Sequence, residues 1–115
     1  MHKIVINIFE KIGSTAAVSS EDGDLLFKLI SKAFKNEAKV ILDFNNIDLL
    51  TSTFLNAAIG QLYGFFDGSF LKEHLAIQNM EKDDLVLLKK VVERAKEYFK
   101  NKNLVEKAIK ETLGE

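Results

Sequence analysis

Lys3 to Phe9 reads KIVINIF, a β-branched apolar run interrupted only by Asn7. It predicts a strand buried on both faces. Glu10 to Ser14 reads as a turn. Thr15 to Val18 suits a short second strand, hairpinned with the first. The rhythm then changes. Ser19, with Asp22 three residues on, resembles a capping box and opens a helix to about Lys35. Leu26, Phe27, Ile30, Ala33 and Phe34 form its buried stripe. Gly23, in the first turn, is a weak helix former and needs a reason to be there. Lys39 to Phe44, KVILDF, is the next core strand, and Asn45 and Asn46 suit a turn. Ile47 to Leu50 leads into a helix from Ser52 to about Phe66, ended by Asp67-Gly68-Ser69. His74 to Asn79 is a further strand. Glu81 to Phe99 is a long amphipathic helix with Leu85, Leu88, Val92, Ala95 and Phe99 inward. Asn103, with Glu106 completing the box, caps a last helix whose apolar side is Leu104, Ala108, Ile109 and Leu113. Strands alternating with helices imply parallel pairs joined by right-handed crossovers.

The helix beginning at Ser52 is the unusual one. Spaced at about 100° per residue, Phe54, Leu55, Ala58, Ile59, Leu62, Phe65 and Phe66 gather on one broad side, which should face the sheet. The opposite side collects Thr53, Asn56, Gly60, Tyr63, Gly64 and Asp67, with Ala57 at its edge. A solvated helix face normally carries Lys and Glu. This one carries small uncharged residues, and each internal Gly costs about 1 kcal/mol relative to Ala. Two explanations follow. Another part of the chain, such as the last helix, covers the face, or a partner protein docks on it. Thr51, Ser52 and Thr53 also place three hydroxyls at the start of the helix, where one would suffice as a cap. Three suit an anion or a phosphoryl group, whose charge the helix end favours.

Composition narrows the classes. The chain has 115 residues, 16 Lys plus Arg against 17 Asp plus Glu, and a net charge of −1. One domain spanning residues 1–115 is expected, large enough to be stable without staples. With no Cys there is no disulfide framework, thiolate metal site or thiol nucleophile. Balanced charge argues against a nucleic-acid binder. No apolar run approaches the ~20 residues of a membrane span, and no signal-peptide pattern opens the chain. The expected setting is the cytoplasm, with no membrane or nucleic-acid partner and no cofactor.

Leu42 to Gly60, LDFNNIDLLTSTFLNAAIG, is similar in spacing to the signature of STAS domains, the fold of anti-sigma-factor antagonists. Leu42 and Asp43 match that family's strand end. Ser52 falls on its phosphorylated serine, Thr53 on the following Ser or Thr, Leu55 on its Leu, and Gly60 on a Gly near the helix centre. Thr51 stands where the family has Asp, and Phe54 where it has Gly. The form Ser52 to Asn56, together with AVSSEDG at residues 17 to 23, looks still more like a STAS-like subfamily of unassigned function. The resemblance implies an α/β, STAS-like single domain: a mixed, mostly parallel sheet of about four strands with about four helices. It also implies a non-enzymatic interaction module of bacterial signalling or partner switching. Ser52 would be the phosphoacceptor. Thr51, Ser52, Thr53, Asn56, Gly60 and Tyr63 would contact a histidine-kinase-like ATPase of anti-sigma type.

Other readings stay open. The Thr51 to Thr53 helix start could be the pocket of a small-molecule or anion receptor. A homodimer could form through the same helix face. An enzyme ranks last, because no coherent nucleophile, base and oxyanion set is present. Asp43 reads as a turn or cap acceptor, and His74 as a partly exposed strand-end residue. Asp22 with Asp24, and Asp83 with Asp84, suit helix starts. Neither pair has the ligand count of a metal site. Gly13 alone makes no phosphate loop. The Lys-rich segment from Lys89 to Lys110 is matched by acids at helical spacing and reads as a solvated face.

Overall fold

The computed structural model describes residues 2–112. Five strands and five helices follow one another as β1 (Lys3–Asn7), α1 (Ile8–Ile12), β2 (Ala16–Ala17), α2 (Ser20–Lys35), β3 (Lys39–Asp43), β4 (Leu49–Leu50), α3 (Ser52–Ala58), α4 (Gly68–His74), β5 (Leu75–Gln78) and α5 (Lys82–Thr112). A 3-10 turn, Gly60–Gly64, links α3 towards α4. The α/β class and the parallel crossovers are as expected. The main sheet has the order β1-β3-β5, and β2 pairs with β4 in a separate two-stranded ladder. Every described pairing is parallel.

The expected hairpin between the first two strands does not form. Asn7 is not an interruption of β1 but its end. Its side chain accepts from the Glu10 N–H at 2.9 Å and caps α1. Gly13, in the left-handed region at φ 70°, closes that helix with its N–H on the Phe9 carbonyl. Left-handed backbone is where glycine carries no Cβ penalty. The helix carries the chain away from the main sheet, so β2 meets Leu49 and Leu50 in parallel instead.

Strand β3 is the spine of the core. Val40 and Leu42 point to its buried face, where Leu26 and Ile30 of α2 and Phe54 and Leu55 of α3 are also fully buried. Across the opposite face Val5, Ile41 and Ala76 align in register, and Val5 is 57% exposed. The expectation of a first strand buried on both faces is therefore wrong. β1 is an edge strand, and only Ile6 of its residues is fully enclosed.

Helix α2 starts as predicted, with Ser19 Oγ accepting from the Asp22 N–H at 3.1 Å. Of the predicted stripe, Leu26, Ile30, Ala33 and Phe34 are buried and Phe27 is half-buried. The reason for Gly23 is contact. A methyl there would lie 2.6 Å from both the Phe54 carbonyl oxygen and the Ala57 Cβ, so α2 crosses α3 at backbone distance.

Three further boundaries differ. The helix from Ser52 ends at Ala58 and tightens into the 3-10 turn. Phe65, expected to face the sheet, is thereby turned out and is 70% exposed. Residues 68–74, where Gly68 and Ser69 were expected to end a helix and His74 to begin a strand, form α4, whose Phe70 stacks on Phe66 and on His74. His74 is its last residue, half-buried, with Nδ1 donating to the Phe70 carbonyl at 2.9 Å. Finally, the two predicted C-terminal helices are one. Asn103 does not cap a new helix, because α5 runs unbroken for 31 residues. Val91 is fully buried, Leu88, Val92, Ala95 and Phe99 are half-buried, and Leu85 is 45% exposed. Leu104 and Ile109 do not face the core, being 57% and 54% exposed. Leu113, also expected on that apolar side, lies outside the described residues.

Candidate functional site

The start of α3 is held by Thr51. Its hydroxyl donates to the Val18 carbonyl at 2.9 Å and accepts from the Phe54 N–H at 3.3 Å. One side chain thus caps the helix and ties it to the strand that ends at Ala17. The Thr51 N–H completes the tie by donating to the Ala17 carbonyl at 3.2 Å. Because Thr51 does the capping, the hydroxyls of Ser52 and Thr53 are not required for it. Ser52 is half-buried, and Thr53 and Asn56 are exposed. Apolar side chains flank this opening: Leu49, 56% exposed, precedes it, and Val18, 36% exposed, lies across the Thr51 hydrogen bond. Hydroxyl and amide groups beside exposed apolar surface mark a patch suited to protein contact.

Farther along, the small-residue face is buried at Gly60 and half-buried at Tyr63, while Gly64 and Asp67 are exposed. Helix α5 lies across it. Gly60 is buried, with Val91 Cγ1 and Ala95 Cβ each 3.7 Å from where a Cβ would sit. At Gly64 a Cβ would come within 2.6 Å of the Phe99 ring. Tyr63 is half-buried, with the Lys96 ammonium 5.8 Å from its ring centroid. Burial pushes the Tyr63 hydroxyl pKa up, since the phenolate would lose solvation. The two glycines are thus accounted for by intrachain packing, the first of the two explanations the sequence left open. The structure brings Thr51, Ser52, Thr53 and Asn56 to one surface, and places Gly60 and Tyr63 under α5.

Helix α5 adds residues that the sequence did not single out. Asn56, Gly60 and Gln61 share a groove of about 270 Å³ with Arg94, Ala95, Tyr98 and Phe99. Gln61 bridges outward, its Nε2 donating to Asp24 at 2.8 Å and to the Ala57 carbonyl at 2.9 Å. Arg94 and Tyr98 were legible only as part of a solvated amphipathic helix; their place beside Asn56 depends on how α5 docks.

Asp43 is the turn acceptor it was read as. Its carboxylate accepts from Asn79 Nδ2 and from the Asn45 N–H, both at 2.9 Å. The Asn79 bond, then the Asn45 N–H, hold its carboxyl below the usual carboxylate range. It ties β3 to the chain leaving β5, where Asn79 adopts a left-handed conformation at φ 59°.

Among the described residues no group of three or more His, Cys, Asp or Glu side chains is placed to hold a metal ion, and no helix is long and apolar enough to cross a membrane. The parallel α/β core, in which β3 ends at Asp43 and leads through the short β4 to the capped helix α3, fits a STAS-like domain. A family profile described as a STAS-like domain of unknown function (DUF4325) matches residues 22–85, from the first turn of α2 into α5, and the chain belongs to that family. No curated protein and no solved structure matches the chain.

Proposed function

We propose that this domain is a non-enzymatic protein-interaction module of a bacterial signalling or partner-switching system. Its docking surface is the start of α3: Ser52, Thr53 and Asn56, rimmed by Leu49 and Val18. The carrying observation is the division of labour at this helix start. Thr51 alone makes the cap and the tie to Val18, while Thr53 and Asn56 stand exposed beside apolar surface. The partner suggested by family resemblance is a histidine-kinase-like ATPase of anti-sigma type. Ser52, the first residue of α3, is the proposed phosphoacceptor. A phosphate there would add about −1.5 to −2 charge at a helix end that tolerates it, and would repel an acidic partner.

The test is affinity capture from the source cell with wild-type and Ser52→Asp baits, read by quantitative mass spectrometry. An ATPase of this type retained by wild type and lost from Ser52→Asp supports the switch. Equal capture by both baits, with Ser52 unmodified in cells, removes phosphorylation from the account.

A further inference from the structure

The body of the domain ends before α5 does. Among residues 82–111 the last of α5 to be even half-buried is Phe99, which packs against Gly64. Beyond it residues 100–111 are all exposed. A helix of 31 residues is about 46 Å long, and it sets the long dimension of the molecule at 53 Å against 30 and 23 Å. The radius of gyration is 15.4 Å, where a compact domain of this length would have about 13 Å. The projecting segment is not uniformly polar. Leu104, Val105 and Ile109 are 54 to 57% exposed, and Tyr98, one residue before Phe99 and on the groove shared with Asn56, is 60% exposed.

Tyr98 and Val105, seven residues apart, share one heptad position of a short seam. Tyr98, Asn101, Val105 and Ala108 fall at alternating intervals of three and four residues, the a and d positions of paired helices. Leu104 and Ile109 flank the seam at g and e, as do Glu97 and Lys102. Lys100, Glu106, Lys107 and Lys110 lie away from it. We propose that this end of α5, from Glu97 onward, is a self-association element: two copies of the chain pair through it as a short parallel coiled coil. Charge selects both the occupant and the direction. In a parallel pair each g residue meets the e residue five positions on in the other helix. That sets Glu97 against Lys102 of the second copy, and Leu104 against its Ile109, each twice by symmetry. An antiparallel pair sets g against g, and centred on Leu104 it would oppose Glu97 to Glu111. Anchoring of α5 to the core supplies the helix nucleus that an isolated segment of this length would lack.

Sedimentation equilibrium of the full chain, across the micromolar to millimolar range, reads the association. The expected result is a concentration-dependent rise from 13.0 kDa towards twice that mass. Val105→Glu should abolish the rise while leaving the melting curve of the dilute protein unchanged. Glu97→Lys should weaken pairing by roughly tenfold, and the double variant Glu97→Lys/Lys102→Glu should restore it. The chain has no cysteine, so Val105→Cys offers a clean orientation test: a parallel pair forms the disulfide between the two copies. A monomer at every concentration, a dimer indifferent to Val105→Glu, or a dimer that never cross-links through Val105→Cys would each overturn the proposal.

Discussion

Replacing Gly23 by Ala adds one methyl group at the crossing of α2 and α3, and the structure gives its consequence a sign. In an open helix the change is favourable by up to about 1 kcal/mol. Here the new Cβ would sit 2.6 Å from the Phe54 carbonyl oxygen, 2.6 Å from Ala57 Cβ and 3.1 Å from the Ala58 nitrogen. Two of these three are backbone atoms, so no side chain can swing aside to make room. Helix α2 must withdraw from α3 by the better part of an ångström. That loosens Leu26, Ile30, Phe54 and Leu55, none of which has any exposed surface. Overpacking of this kind costs about 1–3 kcal/mol. The propensity gain offsets part of it, leaving a net loss of about 1–2 kcal/mol and a Tm lower by about 4–12 °C. Gly60→Ala is the matched control, because its nearest neighbours lie at 3.5 to 3.7 Å. It should be neutral or slightly stabilising. Thermal melts followed by circular dichroism read both variants. A Gly23→Ala protein that melts at or above the wild-type temperature would falsify the close-approach argument.

Three other outcomes are expected. Gly60→Arg, which an open-face reading would treat as a harmless surface change, should destabilise by about 3 kcal/mol, because it forces a charge beneath Val91 and Ala95 or dislodges α5; urea titration measures this, and an unchanged midpoint contradicts the burial. Thr51→Ala should cost about 1 kcal/mol by removing the cap, with Thr51→Ser recovering most of it in the same titration. The Asp43 carboxyl is held below its ordinary value of 3.8, so its contribution is complete above that pH and is lost as pH falls through the folded-state value. Asp43→Asn should therefore be less stable than wild type at neutral pH by a small amount, the carboxylate being near solvent, and the gap should close in acid; a gap that widens as pH falls refutes the assignment.

The reach of sequence reasoning can be seen in single residues. Ser19, Thr51 and the alternation through Val40 and Leu42 act locally, and the elements they open start where the sequence put them. Asn7 misled because one polar residue within an apolar run has two meanings, a strand position or a helix cap, and only Glu10 three residues on distinguishes them. Gly60 and Gly64 signalled close approach correctly, but a glycine does not say what approaches. Two candidates existed, a partner and the chain's own last helix, and the docking of Val91, Ala95 and Phe99 resolves the choice at these positions. Two of the six expected docking residues, Gly60 and Tyr63, are thereby covered. Thr53 and Asn56 keep their exposure because α5 crosses nearer the 3-10 turn than the helix start. Asn103 failed as a stop signal because capping residues end a helix only when the chain has somewhere else to go. No tertiary contact there rewards a turn.

The proposed docking surface is tested most directly by baits altered at single exposed positions of α3. Thr53→Arg and Asn56→Arg change side chains that project from the fold, so both should match wild type in melting temperature. In quantitative capture from the source cell, a histidine-kinase-like ATPase retained by wild type should be depleted with each of these baits and retained by a control altered on the far side of the domain, such as Val5→Arg. Equal recovery of the same proteins by wild type, Thr53→Arg and Asn56→Arg would contradict the assignment of this helix start as the docking surface.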